Sequence, residues 1–289
     1  MPGISFGDLS PEYRIKEDAR IVVIPVPYDR TSTWRRGARK GPRALLEASA
    51  HMELYDLETS FEVYKLGIFT EREISSGRTP ESMIQAVKKN VSEHLEGGRF
   101  PVIVGGEHTV SLGSVFAHQE RESEFSVLQL DAHTDLRESY EGSTFNHACV
   151  MARVREACPS LVQVGIRSMD ESERRSADLN RIFPASEIHR ERGREDTWHQ
   201  RLLSLLGPKV YITLDLDVFD PSIMPSTGTP EPGGLGWYDV LSLLRRVFEE
   251  KRVLGFDIVE LCPGEDKAPD FLAAKLLYTL LSYHFCKTQ

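Results

Sequence analysis

The stretch Ser126-Val-Leu-Gln-Leu-Asp131-Ala-His133-Thr-Asp135 decides how this chain is read. Its first five residues form a short apolar run, and side chains able to bind metal follow at alternate positions. In an extended segment, residues i, i+2 and i+4 point to one side. Asp131, His133 and Asp135 therefore converge at the carboxyl end of an expected strand, where open α/β sheets place their sites. Taken singly, a strand-end Asp is most often a turn or cap residue, and a lone His a hydrogen-bonded one. The reading depends on whether the pattern recurs.

It recurs twice. The apolar run Lys209–Leu214 ends in Asp215-Leu-Asp217, with Asp220-Pro221 close behind. Two carboxylates on one face repel each other unless a cation lies between them. Pro101–Val104 runs into Gly105-Gly-Glu-His108, where the glycines allow a tight turn and His108 supplies an imidazole. Glu107 and Asp220 read, by themselves, as a helix-start residue and a turn former. Together, four Asp and two His from three strand ends make a mixed oxygen and nitrogen donor set. Four carboxylates neutralise two divalent ions. Such donors suit Mg²⁺ or Mn²⁺, and imidazole extends the range to Co²⁺ or Zn²⁺. Cys149, Cys158, Cys262 and Cys286 have no metal-binding spacing and read as reduced, mostly buried thiols.

Other apolar runs extend the pattern along the chain. Ile21–Val26, Leu161–Ile166 and Arg252–Ile258 are β-branched, and Lys65–Ile68 and Arg181–Phe183 are weaker strands. Unbroken runs suggest strands covered on both faces of a parallel sheet. Helical patterns lie between them at Pro80–Glu96, Thr109–Gln119, His147–Ala157, Asp196–Leu206, Trp237–Glu250 and Ala268–Phe285. Thr79 is placed to cap the first, which stops at Gly97-Gly98. The charged segments Asp170–Arg175 and His189–Arg194 read as surface loops. The expected fold is a three-layer α/β/α domain over residues 1–289 with a mainly parallel sheet of about eight strands.

Composition narrows the function. The 289 residues are 40% hydrophobic and 27% charged, which excludes a disordered or fibrous chain. The net charge of −9 disfavours nucleic acid, including at the basic stretch Trp34–Arg43, which reads as an entry loop or subunit contact. No apolar stretch is long enough for a membrane span, and Met1–Asp8 lacks the pattern of a leader. A cytoplasmic enzyme is expected.

Gly105-Gly-Glu-His108, Asp131-Ala-His-Thr-Asp135 and Thr213-Leu-Asp-Leu-Asp-Val-Phe-Asp-Pro221 resemble the three signatures of the ureohydrolase family, which includes arginase and agmatinase. The likeness extends to Pro27-Tyr28, Gly37–Arg43, Ser226–Gly234 and Asp257-Ile-Val-Glu260, nearly the whole chain. It implies the arginase-like fold and two Mn²⁺ per chain. One ion would be held by His108, Asp131, Asp135 and Asp215, the other by His133, Asp131, Asp215 and Asp217. A hydroxide between the ions would attack the guanidinium carbon of a small cationic substrate, releasing urea. By the same resemblance Asp135 passes a proton to the leaving amine, His147 shuttles protons, and Glu260 binds the guanidinium. A trimer or hexamer is implied as well.

Arginases carry a Ser-Gly-Asn stretch and a His-Gly pair near this shuttle, where the present chain has Glu141-Gly-Ser-Thr-Phe-Asn-His-Ala-Cys149. That departure resembles the agmatinase branch and implies hydrolysis of agmatine to putrescine and urea. The alternatives are aminopropylagmatine, guanidinobutyrate or guanidinopropionate as substrate, and a single-zinc amide hydrolase of the deacetylase type on the same fold.

Overall fold

A computed structural model describes residues 4–75, 77, 79–192 and 197–286. Each long apolar run becomes a strand: β1 (Ile21–Val26), β3 (Phe100–Gly105), β4 (Ser126–Leu130), β5 (Leu161–Ile166), β7 (Lys209–Asp215) and β8 (Arg252–Val259). The weaker runs contribute β2 (Ile68–Thr70) and β6 (Ile182–Pro184). Lys65 and Leu66 belong to a 3₁₀ turn ahead of β2. Among the described residues all eight strands join one sheet in the order β2-β1-β3-β8-β7-β4-β5-β6. Every pairing is parallel.

The helices follow the expected spans closely: α2 (Pro80–Glu96), α3 (Ser111–Gln119), α4 (Val150–Ala157), α8 (Trp237–Glu250) and α9 (Ala268–Phe285). Thr109 and His147, read as helix starts, lie in 3₁₀ turns that lead into α3 and α4. The Thr79 hydroxyl accepts the N–H of Ser82 at 3.3 Å, and Pro80 occupies the first turn of α2. A further helix, α1 (Gly41–Ser49), starts inside the basic stretch, with Pro42 in its first turn. α7 is Thr197–Leu205, and Asp196, read as its start, lies outside the described residues.

Two segments differ from expectation. Asp170–Arg175 is not a loop: Asp170 caps α5 (Glu171–Ser176), reinforced by a capping box with Glu173. His189 likewise lies in α6 (Ala185–Glu191), and residues 193–194 of that segment fall outside the described residues. Charge-rich composition misled the reading there, because short surface helices also look polar, and at α5 the capping Asp170 adds to the charge.

Strand residues alternate between two buried layers. Val23, Val102, Leu128, Ile212 and Phe256 pack with α1, α7, α8 and α9 on one face. Val22, Ile24, Ile103, Val127 and Tyr211 pack with α2, α3 and α4 on the other. Sheet register positions the site. Leu130 pairs with Leu214, Leu214 with Ile258, and Ile258 with Val104. The next residue of each strand is Asp131, Asp215, Val259 and Gly105, so four neighbouring strands end in one row.

Candidate metal centre

Beyond that row lie the predicted donors. The structure brings His108, Asp131, His133, Asp135, Asp215 and Asp217 together, with Glu260 and His147 on the wall of the same cavity of about 300 Å³. Two donor groups overlap at Asp131: His108, Asp131 and Asp215, then Asp131, His133 and Asp217. Within each group the donor atoms lie within 4.8 Å of one another. His108 Nδ1 is 3.1 Å from Asp131 Oδ2, 3.1 Å from Asp135 Oδ2 and 3.5 Å from Asp215 Oδ2. His133 Nδ1 is 2.9 Å from Asp217 Oδ2 and 3.6 Å from Asp131 Oδ1.

Local hydrogen bonds aim these side chains. His133 N donates to Asp131 Oδ1 at 2.6 Å, and Gln129 Nε2 donates to Asp131 Oδ2 at 2.7 Å. Asp215 Oδ1 accepts from the N–H of Asp217 at 2.8 Å, and Asp217 Oδ1 accepts from the N–H of Ala132 at 2.9 Å. Asp135 adopts φ 52°, and its carbonyl accepts the N–H groups of Met151 and Ala152 at the start of α4. Glu260 has φ 67° and offers Oε1 to the N–H of His108 at 2.8 Å. Both residues hold left-handed backbone that costs on the order of 1–3 kcal/mol, and such strain gathers at sites.

The Gly105-Gly106 pair serves space rather than a left-handed turn. A Cβ on Gly106 would fall 1.9 Å from the Tyr28 carbonyl oxygen, and one on Gly105 2.4 Å from Val110 Cγ2. That crowding lets the segment pass beside β1 and deliver His108.

Electrostatics show what the donors need. Thr213 donates its only hydroxyl proton to Asp257 Oδ1 at 2.7 Å, so Thr213 Oγ1 accepts from His108 Nε2 at 2.9 Å. His108 Nδ1 faces three carboxylates; burial pulls the imidazole down, but Asp131 and Asp135 outweigh it and raise it well above its ordinary range. Carboxylates facing one another in a buried site repel, and a cation between them removes the repulsion. Burial, with Asp217 and Asp131 adding, pushes the Asp215 carboxyl well above its ordinary range. Burial and Asp131 raise Asp135 to about 7. For His133, burial pulls the imidazole down, but Asp217 and Asp131 outweigh it and raise it to about 12. Without metal the cluster must hold protons. The donor chemistry fits two hard divalent ions.

Glu107 has a larger place than a helix-start residue. It is fully buried, accepts the N–H of Thr31 at 2.9 Å and hydroxyl protons from Thr31 and Thr109, and is raised to about 7 by burial. Its Oε2 lies 3.7 Å from His147 Nδ1. Burial lowers His147 to about 4, so this imidazole is neutral at pH 7. Glu107's place beside a Gly-Gly turn was the available signal; its partner Thr31 lies 76 residues away. Asp220 is the loop anchor its sequence suggests, accepting the N–H groups of Ser222, Gly233 and Gly234 at 3.0 Å each. Trp34 is 81% exposed and lines the cavity with Tyr140, Met169 and Asp170.

Overlapping carboxylate–imidazole groups at the ends of a parallel sheet define a metallohydrolase. Residues 19–282 match the profile of the arginase family. The chain is 41% identical to the N(1)-aminopropylagmatine ureohydrolase of Synechocystis over 92% of its own length and 89% of the relative's. It is 33% identical to the agmatinase of Pyrococcus horikoshii over 92% of each. The solved agmatine ureohydrolase of Thermoplasma volcanium superposes with a TM-score of 0.85 at 30% identity, over 94% of this chain and 92% of that one. The protein belongs to the arginase family and is a ureohydrolase of guanidino compounds. Among the described residues no helix is long and apolar enough to cross a membrane.

Proposed function

We propose that this protein hydrolyses N(1)-aminopropylagmatine to urea and spermidine, using two Mn²⁺ ions. The observation that carries the reaction is the overlap of the two donor groups at Asp131, with the Glu260 carboxylate on the same cavity. Agmatine, the substrate implied by the sequence motifs, becomes the second reading. The relative bearing the aminopropylagmatine name is 41% identical, against 33% for the agmatinase. Trp34, Tyr140 and Met169 on the cavity wall favour the same choice. Aromatic faces attract ammonium groups, and the longer substrate carries one more of them than agmatine. The second donor group, His133 with Asp217, argues against a single-zinc deacetylase.

His108, Asp131, Asp135 and Asp215 would hold one ion; His133, Asp131, Asp215 and Asp217 would hold the other. Bound ions supply the acidity that makes water a nucleophile near neutral pH. Glu260 pairs with the planar guanidinium and fixes its carbon before the metal ligands. Asp135, whose Oδ2 lies at the centre 3.1 Å from His108 Nδ1, would pass the proton given up by the attacking water to the departing amine. His147, neutral at the cavity wall, accepts protons for exchange with solvent.

Incubating the full chain with aminopropylagmatine tests this reading. Urea release that stops on chelation and returns with Mn²⁺ is the expected result. No urea from a chain holding two ions rejects it.

A further inference from the structure

Arg167 follows β5 and touches none of the donor side chains, yet it gathers the segments that carry half of them. Its Nη2 donates to the carbonyl of Asp217 at 2.7 Å, of Phe219 at 3.3 Å and of Glu231 at 2.8 Å. Its Nη1 reaches the carbonyls of Gly165 at 3.1 Å and Val218 at 3.4 Å, and its Nε donates again to Glu231 at 3.2 Å. The backbone N–H groups of Arg167 and Ser168 hold the Ala132 carbonyl at 2.8 and 3.0 Å. One residue therefore ties three segments: the turn after β4 with Asp131 and His133, the turn after β7 with Asp217, and the loop bearing Glu231.

The two donor groups are supported differently. Asp215 is the last residue of β7, and His108, three residues past β3, is braced by Thr213 and Asp257. His133 and Asp217 lie past the strand ends, on the turns that Arg167 staples. Behind the His133 ring, Nε2 faces Glu231 Oε1 at 3.9 Å, and Glu231 is itself on the stapled loop. Among the described residues no carboxylate pairs with Arg167. Its charge is spent on carbonyls, which only a planar fork can reach in this number.

We infer that Arg167 is a positioning residue for the His133–Asp217 half of the centre, setting the affinity of one ion and leaving the other nearly unchanged. The inference rests on the two-ion reading above. Outer partners of metal ligands typically set ~10–100-fold in metal affinity.

The test is Mn²⁺ titration of the full chain, wild type against Arg167→Lys and Arg167→Ala, followed by calorimetry and by the electron spin signal of the bound ions. Wild type should take two ions with a coupled-pair signal. Arg167→Lys should bind the first ion as wild type does and the second ~10–100-fold more weakly, giving the signal of an isolated Mn²⁺ at one equivalent. Lysine keeps the charge but not the fork, so it decides the matter even where alanine fails to fold. Unchanged affinity for both ions, or equal weakening of both, would overturn the inference. A wild type that binds fewer than two ions would instead overturn the two-ion reading, and this inference with it.

Discussion

Glu260 Oε1 accepts the backbone N–H of His108 at 2.8 Å, joining the ends of β8 and β3 across 152 positions of sequence. The proposed guanidinium carboxylate and a proposed metal ligand are thereby set at a fixed distance. Glu260→Gln keeps an acceptor for that N–H but removes the charge. Losing a buried charge partner costs about 2–5 kcal/mol. We expect kcat/KM to fall ~30-fold to several-thousand-fold while Mn²⁺ binding stays within ~3-fold. Steady-state kinetics with parallel metal titration checks both halves.

His108 depends on a second relationship, through Thr213 to Asp257. Asp257 also accepts the Tyr211 hydroxyl at 2.8 Å, so the carboxylate is held from two sides. Thr213→Val preserves shape and deletes the relay. The imidazole then loses its fixed tautomer, and affinity for the ion at His108 should drop ~10–100-fold. Competition against a chelator of known affinity measures this. An unchanged affinity would remove Thr213 from the account.

Metal binding should release protons. Free of metal, His133 is raised to about 12 and is protonated at pH 7, while Asp135, raised to about 7, is half protonated there. Ligands must give up those protons to bind an ion. Affinity therefore rises with pH from 6 to 8 and falls as acid returns protons to the donors. Calorimetry in buffers of different ionisation enthalpy should report at least one proton released per chain loaded at pH 7. Zero release would contradict the protonated metal-free cluster.

Gly113 separates stability from activity. A Cβ there would lie 2.6 Å from Val87 Cβ and 2.7 Å from the Ile84 carbonyl oxygen, where α3 crosses α2. Overpacking of this kind costs ~1–3 kcal/mol. Gly113→Ala should lower the unfolding free energy measured in urea by that amount and leave kcat/KM of the surviving folded protein near wild type. A loss of activity without loss of stability would mean this helix pair bears on the centre.

Much of this architecture was legible in the chain. Ser126–Leu130 and Leu161–Ile166 are strands at the predicted residues, because short β-branched runs between helical patterns have few other places to go. The donors were legible because each cluster directly follows such a run. Lateral order was not: β3, β8, β7 and β4 are neighbours, though β8 comes last in sequence. Nor were the supporting groups. Glu173 looked like one more surface charge, yet it is 4% exposed and takes the Thr134 hydroxyl and the Leu136 N–H. Arg167 sits in Gly165-Ile-Arg-Ser, where no spacing rule points to carbonyls fifty residues away.

The most direct measurement is kcat/KM for urea release by the Mn²⁺-loaded protein on aminopropylagmatine, agmatine, arginine, guanidinobutyrate and guanidinopropionate under one set of conditions. The account predicts aminopropylagmatine first by about 10-fold or more over agmatine, roughly 1.4 kcal/mol of added transition-state binding from the longer arm. Equal or better use of agmatine would contradict the proposed substrate. No urea from any member, with two ions bound, would contradict the reaction itself.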